Sequence, residues 1–236
     1  VVEVLMLVAV LAILASILLP TFGRVSDCGG RSVDASNLRQ IGQASFIYAN
    51  DHREDLPGLN LNSVGEITPG RSTPGIHAIA AALARHGGLN DATLWVSRSD
   101  RTPHLTVSSL TVVLDRASMT VSPAFADSPV SYQYVAGLST NAAPTTPLAF
   151  TRGLQSDGNW TDDAAISVYG RDGGYMTFMG GNVAFYRDLR GRGGELKNPR
   201  GGLTSNLLEA VPGDARIFSY PATTTGAISG LAGTTQ

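Results

Sequence analysis

The apolar positions of this chain crowd at its start. Val1 to Leu19 reads VVEVLMLVAVLAILASILL, with Glu3 as the only charge. Nineteen residues rising ~1.5 Å each make ~28 Å of helix, about the hydrocarbon thickness of a bilayer. The run is apolar on every side, which does not suit a surface helix of a soluble domain. A cleaved secretory signal would begin with bases, carry a shorter apolar run and end in a small-residue cleavage site. This run carries an acid where a base belongs. Pro20 follows at once and predicts a kink, because it has no amide hydrogen and its ring crowds the carbonyl four residues earlier.

Beyond Pro20 the pattern turns amphipathic. Phe22, Val25, Val33, Leu38, Ile41, Ala44, Phe46, Ile47 and Tyr48 alternate with Arg24, Asp27, Arg31, Asp34, Arg39, Gln40 and Gln43. From Val33 the spacing suits one helical stripe. Gly29-Gly30 predicts a bend or an unwound turn, and Leu56-Pro57-Gly58 is a stop signal. The chain therefore divides into a long helix over 1–54, with 1–19 as its membrane or filament-core segment, and a β-rich head over 55–236.

Within the head, 58–74 is loop-like, and Gly75 to Arg85 suits a short helix closed by Gly87-Gly88. Strand-type runs follow at Leu94–Val96, Leu105–Leu114, Met119–Val121, Tyr132–Ala136, Leu148–Thr151, Tyr175–Met179, Val183–Arg187 and Ile217–Tyr220. Met179-Gly180-Gly181-Asn182 predicts a hairpin turn between two of them. The tail from Ala222 is rich in Thr, Gly and Ala, with little to pack, and suits a disordered end or a surface strap.

Composition narrows the function. A net charge of -2 on 236 residues, with 15% charged, gives no basic face for tracking phosphates. Cys28 is the single cysteine, which excludes an intramolecular disulfide and a cysteine-built zinc site.

Glu3 and a proline seventeen positions later, at Pro20, have the spacing of a prepilin-type N-terminus. The chain resembles the type IV pilins and type II secretion pseudopilins on this ground. The resemblance implies that two residues, a methylated Phe and its neighbour, precede Val1. It continues through Ser36-Asn37-Leu38-Arg39-Gln40-Ile41-Gly42-Gln43-Ala44, then Tyr48-Ala49-Asn50-Asp51 and Leu56-Pro57. These are similar to the "NLRQIG…YANDN…LP" start of a pseudopilin-like group common in Planctomycetes and Verrucomicrobia. The late hairpin resembles that group's "H…FADGHV" element, with Gly180 in place of its Asp and Asn182 in place of its His.

The resemblance implies an α+β, pilin-like fold: a long N-terminal helix, apolar then amphipathic, packed on a mainly antiparallel β-sheet head. It also implies assembly roles for Glu3 and Pro20. A lone carboxylate in hydrocarbon is costly and needs a partner. In the family that partner is the N-terminal ammonium of a neighbouring subunit. An acid that reaches the headgroups from the membrane edge is the plainer alternative.

Enzyme readings are weak. His52, His77, His86 and His104 form no close ligand pair, and Ser156-Asp157 and Asp162-Asp163 offer acids without a visible base. No nucleophile elbow, phosphate loop or dinucleotide fingerprint is present, and Gly191-Arg192-Gly193-Gly194 reads as a turn. Asp157, Asn159, Thr161 and Asp163 alternate oxygens like part of a calcium loop, without its central Gly and closing Glu. An ordinary polar turn is the simpler account of them. Asn159-Trp160-Thr161 is also a glycosylation sequon. Trp95, Phe125, Tyr132, Tyr134, Phe178 and Phe185 suit a core. Arg187, Arg190, Arg192, Lys197 and Arg200 suit a solvated or subunit-contacting face.

Together these features predict a non-enzymatic structural subunit, with no cofactor, no metal and no nucleic acid. Its partners would be copies of itself in an extracellular filament, the inner membrane before assembly, and a prepilin peptidase with its assembly machinery. A pseudopilin of a secretion system and a membrane-tethered binding domain that never polymerises are the alternatives.

Overall fold

The computed structural model describes residues 2–58, 61, 75–102, 110–191 and 194–220, and within the first helix the side chains of 4, 5, 8, 9 and 15–29 fall outside that description. Helix α1 runs from Val2 to Asp51. It ends where Arg53 (φ 56°) and Glu54 (φ 67°) turn left-handed. The Glu54 amide then donates back to the Ala49 carbonyl at 3.0 Å, closing the last turn as helix C-termini commonly do.

The inner part of α1 is a stripe. Asp34, Asn37, Leu38, Ile41, Ala44, Ser45, Tyr48 and Ala49 are all buried, at intervals of three and four, as one helical face requires. The stripe lies on a five-stranded antiparallel sheet of order β4-β3-β2-β1-β7. The strands are β1 (Tyr132–Ala136), β2 (Pro147–Thr151), β3 (Gly174–Phe178), β4 (Val183–Tyr186) and β7 (Arg216–Phe218). A separate two-stranded ribbon pairs β5 (Leu196–Lys197) with β6 (Leu203–Thr204). Helix α2 (Ile76–His86) packs beside α1, and a one-turn helix α3 spans Pro123–Ala126.

Tyr132 and Tyr134 of β1 alternate to the side that meets α1, so Gln133 and Val135 face the other way. All five residues of β1 are buried, which marks it as a central strand covered on both faces. The β3–β4 hairpin turns through Gly181 at φ 80°, where an L-residue would be strained. The Gly181 amide donates to Phe178 at 2.8 Å, and Phe178 to Asn182 at 3.1 Å.

The expected pilin-like architecture needs correction. Among the described residues, no helix is long and apolar enough to cross a membrane. The helical stretch from Gly30 to Asp51 that meets the sheet is not apolar either: Asp34, Asn37 and Ser45 are buried in its packed face. The physical reason lies in the packed part: a span takes about 20 consecutive apolar residues, whereas the stretch that meets the sheet sets polar side chains into its buried face.

Other elements also differ from the sequence reading. α1 is one helix from Val2 to Asp51, without the unwound turn offered for Gly29-Gly30. Leu94–Val96 is not a strand: Ala92–Trp95 is a 3₁₀ turn, started by the Asp91 carboxylate accepting from the Thr93 amide at 2.9 Å. Met119–Val121 supplies a single bridge, Leu114 to Val121. Part of the expected strand Leu105–Leu114 lies outside the described residues, as do His104, Arg192 and the tail beyond residue 220.

Candidate functional site

The two residues singled out for assembly sit on the outer part of α1. Glu3 is exposed there. Around it, Val2, Met6, Leu7, Val10, Leu11, Ile13 and Leu14 are exposed too, from 47% to 79%. Pro20 lies within α1, and its side chain is outside the described ones. The site therefore presents a helical surface of large apolar side chains carrying one carboxylate. A set of this kind can bury apolar area against another molecule and pair a cation.

What holds that helix to the head is a polar cluster that the sequence did not announce. Asp34, fully buried on α1, accepts hydrogen bonds from Ser97 Oγ at 2.5 Å, from Tyr132 Oη at 2.8 Å and from Tyr169 Oη. Asn37, one turn on, donates to Tyr132 Oη at 3.2 Å. Tyr134 Oη and Ser45 Oγ bond at 2.9 Å further along the same face. Each bond joins α1 to the sheet or its flanking loops. Asp34's partners among the described residues are hydroxyls rather than cations, so burial wins and pushes its carboxyl above the ordinary carboxylate range. Burial likewise raises the phenols of Tyr132, Tyr134 and Tyr169, next to the Asp34 charge in two of the three cases.

A second buried pair lies beside the first. Arg152 Nη2 donates to both oxygens of Asp100, at 2.9 and 3.0 Å, with both side chains enclosed. Arg152 Nη1 donates to the Val130 carbonyl at 2.8 Å, and Nη2 also reaches Thr102 Oγ1. The two clusters are joined through serines. Ser131 Oγ donates to Asp100 at 2.6 Å and accepts from the amide of Ser97 at 2.8 Å, while Ser97 Oγ donates to Asp34. A continuous polar chain thus runs from α1 to the end of β2. No sequence motif marks it, because the partners of Asp34 lie 63, 98 and 135 residues away.

The histidines are partly brought together. His52 stacks on Tyr48 with ring centroids 3.8 Å apart and donates from Nδ1 to the Tyr48 carbonyl at 2.7 Å; His86 meets His52 edge-on at 4.8 Å. His77 is remote from them, held between Phe125 and Tyr220, and burial lowers its pKa. Among the described residues no three His, Cys, Asp or Glu are placed to hold a metal ion.

The oxygens of the calcium-like stretch are used locally. Asp157 accepts from the amide and the side chain of Asn159, at 3.0 and 2.7 Å, and pairs with Arg190 at 3.3 Å; Asp163 accepts from the Ala165 amide at 2.9 Å. These are turn-forming bonds. The sequon's Asn159 nitrogen is engaged by Asp157 in the same way. No protein-family model, no curated protein and no solved structure matches this chain.

Proposed function

We propose that this chain is a structural subunit, not an enzyme, that polymerises with copies of itself into a type IV pilus-like helical filament outside the cell. One observation carries the reading: among its described residues, the outer part of α1 exposes seven large apolar side chains around a single carboxylate, Glu3. Covering such side chains contributes ~1.5–3 kcal/mol for each one fully buried, so seven half-covered ones give on the order of 10 kcal/mol before the costs of association. Copies of the same helix, docked head-to-tail in a repeat that does not close, supply that cover and generate a fibre. Glu3 then accepts the amino terminus of a neighbouring subunit, which removes two unpaired charges together.

In this reading the precursor is held at the inner membrane, where a prepilin peptidase and the assembly machinery act on it. Electron microscopy of the sheared cell-surface fraction tests the proposal: filaments containing this chain are expected, and a chain found solely as a monomer in native extracts sinks it. Glu3→Gln sharpens the test. It keeps the side chain's shape but leaves the incoming ammonium without a counter-ion, a cost of several kcal/mol when buried, so filament yield should collapse while the subunit remains abundant. Unchanged yield removes the electrostatic part of the argument.

A further inference from the structure

Two arginines, Arg171 and Arg187, line one surface hollow of about 480 Å³, together with Asp157, Asp162 and Asp188. Neither guanidinium has a hydrogen bond or an ion pair among the described residues. The fold brings the two together. Gly174 pairs with Tyr186 at the open end of the β3–β4 hairpin, so Gly173 and Arg187 stand one step beyond that rung. They approach closely: a Cβ on Gly173 would lie 2.9 Å from the Arg187 Cα. Arg171 is two residues before Gly173, in the 3₁₀ turn Gly170–Asp172. Both arginines are exposed, so a ligand reaches them from solvent.

The charges of the wall select the ligand. Asp162 is paired with Arg101 at 3.4 Å, and Asp157 with Arg190 at 3.3 Å. Asp188 turns Oδ1 to the amides of Arg190 and Gly191, at 2.9 and 2.7 Å. Each acid of the wall therefore has its donors within the chain, while the two cations have no acceptor. A lone exposed arginine is content with water. Two beside one hollow repel each other, and an anion between them turns that repulsion into two attractions. A carboxylate fills one guanidinium fork. A tetrahedral dianion has the charge and the oxygens for a fork on either side.

We propose that this hollow binds a phosphate group, held between the guanidiniums of Arg171 and Arg187. The group is the shared chemistry of inorganic phosphate, a soluble phosphate ester and a phospholipid headgroup. The proposal stands independently of polymerisation.

Calorimetry and phosphorus NMR on the full chain at low ionic strength test it, with inorganic phosphate as the probe. Binding should saturate at one equivalent in the millimolar range or below, and acetate should bind at least about tenfold more weakly. Arg171→Ala and Arg187→Ala should each weaken phosphate by about tenfold at unchanged circular dichroism, and the lysine variants by less, since lysine keeps the charge without the fork. Arg200→Ala removes an exposed cation outside the hollow and should change nothing. A sugar phosphate and vesicles containing phosphatidic acid separate the sources: the one that binds more tightly than inorganic phosphate, and loses that binding in Arg187→Ala, is the class held. Absence of saturation by phosphate overturns the proposal. So does an equal loss from Arg200→Ala, which would assign the attraction to the surface charge of the whole chain.

Discussion

Ile13 and Ile41 are the same side chain on the same helix, yet Ile13 is 61% exposed and Ile41 fully buried. Around Ile13 the described side chains are apolar apart from Glu3. Around Ile41 the helix carries Asp34, Asn37 and Ser45, all buried. The buried half is therefore the more polar one. Apolar surface says that a helix wants cover, but not from what; the hydroxyl and carboxamide bonds from Asp34, Asn37 and Ser45 fix which sheet α1 meets, and in what register. The outer half instead exposes large apolar side chains, from Val2 to Leu14, that another molecule could cover.

The comparison breaks most visibly by truncation. Ile41→Ala removes methyl groups from a packed site and should cost ~2–5 kcal/mol, seen as a fall of ~2–4 °C in Tm for each kcal/mol in a chain of this size. Ile13→Ala should leave the Tm within about 1–2 °C, because exposed substitutions change stability by ~0.5 kcal/mol or less. Its effect belongs to filament yield. Equal losses of Tm from the two variants would mean that the outer half is covered within a single molecule.

Glycines give a finer cut. A Cβ at Gly87, the residue closing α2, would lie 2.6 Å from the Ala44 carbonyl oxygen of α1 and 2.9 Å from that of Leu83. Both are backbone atoms with little room to yield, so Gly87→Ala should cost ~1–3 kcal/mol in urea unfolding. At Gly42, on α1 itself, the nearest atoms are Thr177 Oγ1 at 3.6 Å and a Leu148 methyl at 3.8 Å, both ordinary contacts. Gly42→Ala should be neutral or stabilising, since alanine is favoured in a helix interior by up to ~1 kcal/mol. A large loss at Gly42 would show that α1 sits closer to the sheet than these distances allow.

Much of the sheet was legible because period-2 patterning and glycine turns are local signals. Tyr132–Ala136 was read with its observed bounds, Leu148–Thr151 and Val183–Arg187 within a residue, and the Gly180-Gly181 turn falls between β3 and β4 as expected. Leu94–Val96 was misread because a short apolar run fits a strand and a 3₁₀ turn alike, and the Asp91 cap decided the matter. The buried polar chain from Asp34 to Arg152 was invisible for another reason. Asp34 looks like one more charge on an amphipathic helix, and Arg152 like a residue just past a strand. Only the fold shows that they are buried. The apolar run was legible as apolar, but the sequence does not say what its side chains meet.

Asp34 also gives the comparison a pH axis. Burial raises its carboxyl above the ordinary aspartate value of 3.8, so over the window between the two the folded state holds a proton that the unfolded chain has released. Stability therefore falls as pH rises from about 4 through the raised value, and the whole penalty stands above it. Asp34→Asn cannot ionise, so the difference in urea midpoint between it and the wild type should shift in the variant's favour over that window and then level off. Using the difference removes the opposite trend expected from His77, whose lowered pKa withdraws stability as pH falls below 6.5. A difference that stays flat with pH would mean that the three hydroxyls hold Asp34 ionised at no cost.

The smallest effect lies near the border between the two halves, at Arg31. Its guanidinium carbon stands 5.5 Å from the centre of the Tyr169 ring and 5.4 Å from that of Phe185, while Nη2 lies 3.3 Å from Asp172. The ion pair is wet, with side-chain exposures of 36% and 72%, so it contributes little against screening and side-chain entropy. Asp172→Asn should change stability by less than ~0.5 kcal/mol. The rings are the better partners: a cation over an aromatic face contributes ~0.5–1 kcal/mol at an exposed site, and Arg31 meets two. Arg31→Ala should therefore cost ~1–2 kcal/mol, and Arg31→Lys something between, since lysine keeps the charge but loses the planar stack. If Asp172→Asn instead costs as much as Arg31→Ala, the carboxylate rather than the rings anchors this point of the helix. The boundary between the held half and the exposed half would then soften with added salt, which ring contacts would resist.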